Sequence, residues 1–211
     1  MTDFTFDPHT RTIDRYDGDE STVNIPEEVG NVSVTRIGYS CFSMNQQIEN
    51  VGIPDSVTSI GNCAFSNTGL RSAQLPDSVS SLGWGVFSDC PLEEAVLSDA
   101  LEELPNSTFA NTQLTGISLP PGLTRIGYRC FLCSNLDQIE FPDGLEIIES
   151  MAFTDNNLSS IIIPPSVIRV ESEAFLGNPL TSVTVMNPGC IIENDAFGDF
   201  DESLIVYPNN D

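Results

Sequence analysis

The chain has 211 residues, with 31 Asp and Glu against seven basic residues and a formal net charge of −24. A surface this acidic is repelled by nucleic-acid phosphates and anionic lipid, which excludes nucleic-acid and membrane-surface roles. No apolar run of the roughly 18 residues needed to span a bilayer is present, and the start MTDFTFDPHTR lacks the basic and apolar segments of a secretory signal.

Residues 1–21 precede any repeat. The alternation in Phe4-Thr5-Phe6 and Thr12-Ile13-Asp14 predicts a short hairpin, with an Asp-Gly turn signal at Tyr16–Asp19. Its expected role is an N-terminal cap, because the first rung of a repeat array otherwise exposes an apolar end and a sheet edge.

From residue 22 to 207 one unit recurs. Its marker is a ladder of Phe: Phe42, Phe65, Phe87, Phe109, Phe131, Phe153, Phe175 and Phe197. The first step is 23 residues and the next six are 22. An aliphatic residue stands five places before each Phe, from Ile37 and Ile60 to Ile148 and Ile192. A fixed period in this range signals a solenoid, in which each unit buries its apolar face only against its neighbours. The copy LTGISLPPGLTRIGYRCF at 114–131 shows the two extended segments of each unit. The first alternates with period two and is ended by a Pro, which removes a ladder donor. The second runs to the aliphatic residue and a Gly turn. The unit leaves room for at most one helical or 3₁₀ turn, expected near Ala64–Phe65 or Ala152–Phe153. The extra residue of the first step should bulge outward between Met44 and Ile48. Leu204–Tyr207 reads as a last strand, stopped by Pro208, with 208–211 as a tail. The expected fold is mainly β: a right-handed solenoid of about eight rungs of 22–23 residues, with short parallel strands and little helix.

The unit L-x-x-I-x-L-P-x-x-L-x-x-I-G-x-x-x-F resembles the BspA-like class of leucine-rich repeats. The copies that carry the resemblance best are Val57–Phe65 and Leu123–Phe131, and it extends over about 22–207. Pro105, Glu149, Glu171 and Glu193 depart from it by replacing the Gly, and Ser98 and Met186 by replacing the Pro. The resemblance implies a surface-exposed or secreted protein-binding module; a cytoplasmic location is the alternative.

Enzyme chemistry finds little material. His9 is the only histidine and lies in the polar cap, so neither a catalytic triad nor a His-rich metal site can be assembled. Without Lys no phosphate-binding P-loop is possible. Cys41 and Cys130 sit one place before a ladder Phe, where other rungs carry Ala64, Ala152, Ala174 and Ala196, and read as packed thiols. Cys130 and Cys133 form a lone C-x-x-C with no second pair. The Asp column Asp55, Asp77, Asp99 and Asp143 reads as turn chemistry rather than a Ca²⁺ site. No catalytic residue, metal or cofactor is expected.

A solenoid recognises partners through the outward side chains of its repeated strand. The candidate face is Arg71, Gln74, Glu93, Glu94, Asp137, Gln138 and Glu140. Its acidity points to a protein partner, a basic one included, bound by a monomer. Trp84, the only Trp, follows Gly83 at a turn, where exposure is open to it, although a lone aromatic is more often packed than an anchor. The alternative function is a structural spacer within a larger surface protein.

Overall fold

The computed structural model describes residues 3–208. The chain opens with β1 (Phe4–Asp7), β2 (Thr12–Tyr16), β3 (Thr22–Asn24), β4 (Glu28–Val29), β5 (Val32–Ser33) and β6 (Arg36–Ile37). The middle carries β7 (Asn50–Gly52), β8 (Ser59–Ile60), β9 (Ser72–Gln74), β10 (Ser81–Leu82), β11 (Glu94–Val96) and β12 (Glu103–Leu104). It closes with β13 (Arg125–Ile126), β14 (Ile147–Ile148), β15 (Ser160–Ile163), β16 (Arg169–Val170), β17 (Ser182–Val185) and β18 (Ile191–Ile192). The pairings between rungs are parallel and in register, so that Arg125, Ile147, Arg169 and Ile191 stand in one row. This is a parallel β-solenoid, as the period requires.

The interior is built by the ladder. All eight of its Phe are fully buried. Successive rings stack at centroid distances from 5.0 Å (Phe42–Phe65) to 5.7 Å (Phe175–Phe197). Around each Phe the chain forms neither the helical nor the 3₁₀ turn expected from spacing. From Phe42 to Phe175 the residues two before and two after it take positive φ instead, as at Cys63 (54°) and Asn67 (56°) around Phe65, or Met151 (58°) and Asp155 (55°) around Phe153; around Phe197 they are Asp195 and Gly198. With a left-handed residue at each end of this turn, every second N–H points to the next rung. Cys63, Phe65 and Asn67 therefore donate to the carbonyls of Trp84, Val86 and Ser88 on the next rung. Only Gly85, Gly177 and Gly198 meet this conformation with glycine among these flanking positions. The other residues bear a strain on the order of 1 kcal/mol each, offset by the bonds between rungs.

Three residues after the Phe runs a polar column: Thr68, Cys90, Thr112, Ser134, Asn156 and Asn178. Each donates to the Phe carbonyl of its own rung, of the preceding rung, or of both. Asn156 Nδ2 donates to Phe131 O (2.8 Å) and Phe153 O (3.0 Å), while its Oδ1 accepts Leu136 N (2.9 Å).

The departures from the repeat have local reasons. Glu149, Glu171 and Glu193 stand where other rungs carry Gly, and their carboxylates accept the N–H of Tyr128 (2.7 Å), Ser150 (3.0 Å) and Ser172 (3.2 Å) on the preceding rung. Pro105 has the opposite effect. Gly83 and Gly127 at its position donate to Ile60 O and Leu104 O, but a Pro has no N–H to give Leu82 O. The sheet accordingly divides into β1-β2-β6-β8-β10 and β12-β13-β14-β16-β18.

The ends differ from expectation. The predicted hairpin exists, but its turn is Pro8–Arg11 rather than Tyr16–Asp19, and β2 then pairs in parallel with β6. The cap is thus a partial rung, with Tyr16 packed on Phe42 at 5.5 Å. At the other end the predicted strand Leu204–Tyr207 is a 3₁₀ turn at Glu202–Leu204 and a single bridge from Val206 to Thr184. Phe200 sits edge-on to Phe197 at 6.5 Å. Of the tail, 209–211 lie outside the described residues. The extra residue of the first step does lie in an exposed turn, at Gln46 and Gln47.

Candidate protein-binding face

The first extended segment of each rung forms the candidate face. Its ladder is interrupted: β3 pairs with β7, β9 with β11 and β15 with β17, but 116–118 and 138–140 form no strand. Gly116 contributes no side chain to a pleated surface. No backbone hydrogen bond joins 116–119 or 138–141 to a neighbouring rung among the described residues.

A depression of about 980 Å³ opens there. Five of the seven predicted face residues converge on it: Glu93, Glu94, Asp137, Gln138 and Glu140. Asp143 is a fifth carboxylate in the lining, and no Arg is among the lining residues. Spacing alone did not mark Asp143, because it belongs to the turn column and not to the strand. Arg71 and Gln74 lie outside, one rung toward the N-terminus. Arg71 Nη1 pairs with Glu93 Oε1 at 2.7 Å, both side chains being more than half exposed, so the pair adds little stability.

The remaining chemical residues stay apart. His9 is exposed, and its backbone N–H donates to Asp7 Oδ1. All six cysteines are free; Cys130 is buried whereas Cys133 is exposed, so the C-x-x-C does not present two thiols together. Burial pushes the Cys41 thiol up to about 12, with Asp14 adding to the effect, and raises Cys130 further in the same direction. Neither is a nucleophile at neutral pH. Among the described residues no group of three His, Cys, Asp or Glu could hold a metal ion, and no helix is long and apolar enough to cross a membrane. Trp84 takes the exposed alternative at its turn: it is 49% exposed.

The repeat is matched by the BspA type leucine rich repeat region in six copies, over 35–155 and 84–204. The chain belongs to the BspA-type leucine-rich repeat family. Its fold is similar to that of a leucine-rich repeat protein from Bacteroides ovatus, at 26% identity and TM-score 0.70, over 88% of this chain and 57% of that one. A leucine-rich repeat protein from Eubacterium ventriosum aligns at 18% identity and TM-score 0.57, over 85% of this chain and 51% of that one. The pneumococcal vaccine antigen PcpA aligns at 22% identity and TM-score 0.50, over 83% of this chain and 55% of that one. The chain thus spans little more than half the length of these proteins. None of the curated proteins matches it.

Proposed function

We propose that the chain is a non-enzymatic, protein-binding repeat module of a surface-exposed or secreted protein, and that the acidic depression takes an extended basic segment. The observation that carries this reading is the coincidence of five carboxylates with unladdered backbone at 116–119 and 138–141. The carboxylates select Arg and Lys, and the free N–H and C=O groups can bond an extended main chain as in strand addition. The surface assignment is supported by the likeness to PcpA, which is described as a vaccine antigen. As a binding module the chain acts as a monomer.

The test is binding of a labelled Arg-rich decapeptide by anisotropy at several salt concentrations. The combined change Glu93→Gln, Glu94→Gln, Asp137→Asn and Glu140→Gln should weaken binding at least tenfold and flatten its salt dependence. The control neutralises an equal number of carboxylates on the other sheet (Glu102, Glu103, Glu171, Glu146) and should change binding less than threefold. Equal losses from both sets would mean that net charge alone attracts the peptide, and would leave the module as a spacer.

A further inference from the structure

A second column lies on a different side of the solenoid, three residues before the ladder Phe. It reads Tyr39, Asn62, Trp84, Asn106, Tyr128 over five successive rungs. The rungs are joined beside it by hydrogen bonds from Ser40 N to Asn62 O, Cys63 N to Trp84 O, Gly85 N to Asn106 O and Ser107 N to Tyr128 O. The aromatic residues are therefore two rungs apart, roughly 10 Å. Tyr39 is 67% and Trp84 49% exposed, although apolar rings of this size normally bury more. Arg129 lies over the Tyr128 ring at 4.8 Å. On one flank run Gly38, Gly61, Gly83, Pro105 and Gly127, so the rings stand beside a trough without bulky side chains.

The two Asn residues are fixed in orientation. Asn62 Oδ1 accepts Trp84 N at 3.0 Å, and Asn106 Oδ1 shares Tyr128 N (3.1 Å) with the Glu149 carboxylate (2.7 Å). A backbone N–H can meet only the amide oxygen, so each Nδ2 is left as a donor, and neither has a partner among the described residues. The column thus alternates aromatic faces with amide donors, and holds no carboxylate in a chain of net charge −24. It ends at Tyr128: the following rungs have Ser150, Ser172 and Asn194, and Glu149, Glu171 and Glu193 replace the trough residues.

We propose that this stripe is a docking site for a proline-rich segment in the polyproline II conformation. That helix repeats every three residues at about 3.1 Å each, or about 9.3 Å, which matches two rungs. Its carbonyls are all unpaired and its Pro residues have no N–H, so it offers acceptors only. The free N–H groups of the stripe, two Asn Nδ2 and Trp84 Nε1, donate only, and the Tyr39 and Tyr128 hydroxyls, which can also accept, can donate as well. A sugar polymer would also present hydroxyl donors, for which the stripe has few free acceptors. Pro rings fit between aromatic faces in the preformed, low-entropy helix. From Tyr39 to Tyr128 the stripe spans about 20 Å, so about seven residues of ligand suffice. At the Tyr39 end it adjoins a hollow of about 560 Å³ lined by Asp7, Asp14 and Arg36, whose net negative charge suits a basic residue on the ligand.

The probe is a peptide of two Arg followed by eight Pro, compared with an equally charged Gly-Ser peptide and with a soluble β-1,4-linked sugar hexamer. Trp84 is the only Trp, so its emission reports the site directly. The Pro peptide should give a saturable blue shift that the other two lack. Tyr39→Ala and Tyr128→Ala should each weaken binding at least fivefold with the unfolding midpoint unchanged. Trp84→Ala, read by anisotropy of labelled peptide, should weaken it at least tenfold. The quadruple neutralisation of the acidic depression should leave the Trp84 response in place. Equal response to the Gly-Ser peptide, response to the sugar instead, or no saturation with the Pro peptide would each overturn the assignment.

Discussion

A central ladder Phe has another Phe ring stacked on each side, and this makes its cost predictable. Phe131 lies between Phe109 at 5.3 Å and Phe153 at 5.2 Å and is fully buried. Phe131→Ala should lower unfolding stability by about 3–5 kcal/mol, because rigid rungs on both sides prevent the cavity from collapsing. Phe197 is covered on its outer side only by Phe200, so Phe197→Ala should cost less than Phe131→Ala in the same urea titration. Asn156 is held by polar bonds instead. Truncation would strand the Leu136 N–H in a buried setting and take one donor each from the Phe131 and Phe153 carbonyls, which keep Ser134 N and Asn178 Nδ2. Asn156→Ala should therefore cost about 2–4 kcal/mol, more than an isolated hydrogen bond is worth. A loss below about 1 kcal/mol by chemical denaturation would mean that water replaces the amide.

At the level of elements, Pro105 separates the two five-stranded sheets. Restoring the N–H with Pro105→Ala adds a hydrogen bond worth about 0.5–1.5 kcal/mol. It also frees the unfolded chain, at about 0.4–1 kcal/mol. The two effects nearly cancel, so the unfolding midpoint should move little. Hydrogen exchange decides instead: the new amide at 105 should be protected like those of Gly83 and Gly127, which bond Ile60 O and Leu104 O. Fast exchange there would show that the gap between β10 and β12 has another cause. The strand face follows the same logic. Gly116 weakens pairing where Ser160–Ile163 and Ser182–Val185 keep it, and the acidic depression occupies the weakened stretch.

Across the whole molecule, buried thiols couple stability to alkaline pH. Cys41 has its pKa raised by burial from 9.0 to about 12, and Cys130 is raised as well. Above pH 9 the unfolded state releases protons that the folded state retains. The stabilisation is fully present below that pH and falls as pH rises toward 12. For two thiols the slope is about 2.7 kcal/mol per pH unit. Stability should be flat from pH 7 to 8.5 and fall steeply by pH 10.5, and Cys41→Ala should lessen the slope by about 1.4 kcal/mol per pH unit, the share of one thiol. An unchanged slope in that variant would place the alkaline sensitivity elsewhere, for instance in charge repulsion across the acidic surface.

The 22-residue period, with its Phe, aliphatic and Pro positions, determined by itself that the chain is a β-solenoid and which residues form its core, because each rung can bury its apolar face only against copies of itself. Most of the acidic face was legible for the same reason: outward positions repeat with the strand. The period could not show where the ladder fails. Pro105 was visible as a departure, but whether a missing donor parts two rungs depends on what the flanking rungs can hold together. Nor did it anticipate the left-handed residues beside each Phe, since most are not glycine and only bonds between rungs stabilise them. Tertiary structure alone decided that Trp84 is half exposed and aligned with Tyr39 and Tyr128. Residues 22 or more apart become neighbours only when the rungs stack, and the outward or inward aim of a turn residue is set by the rung beside it.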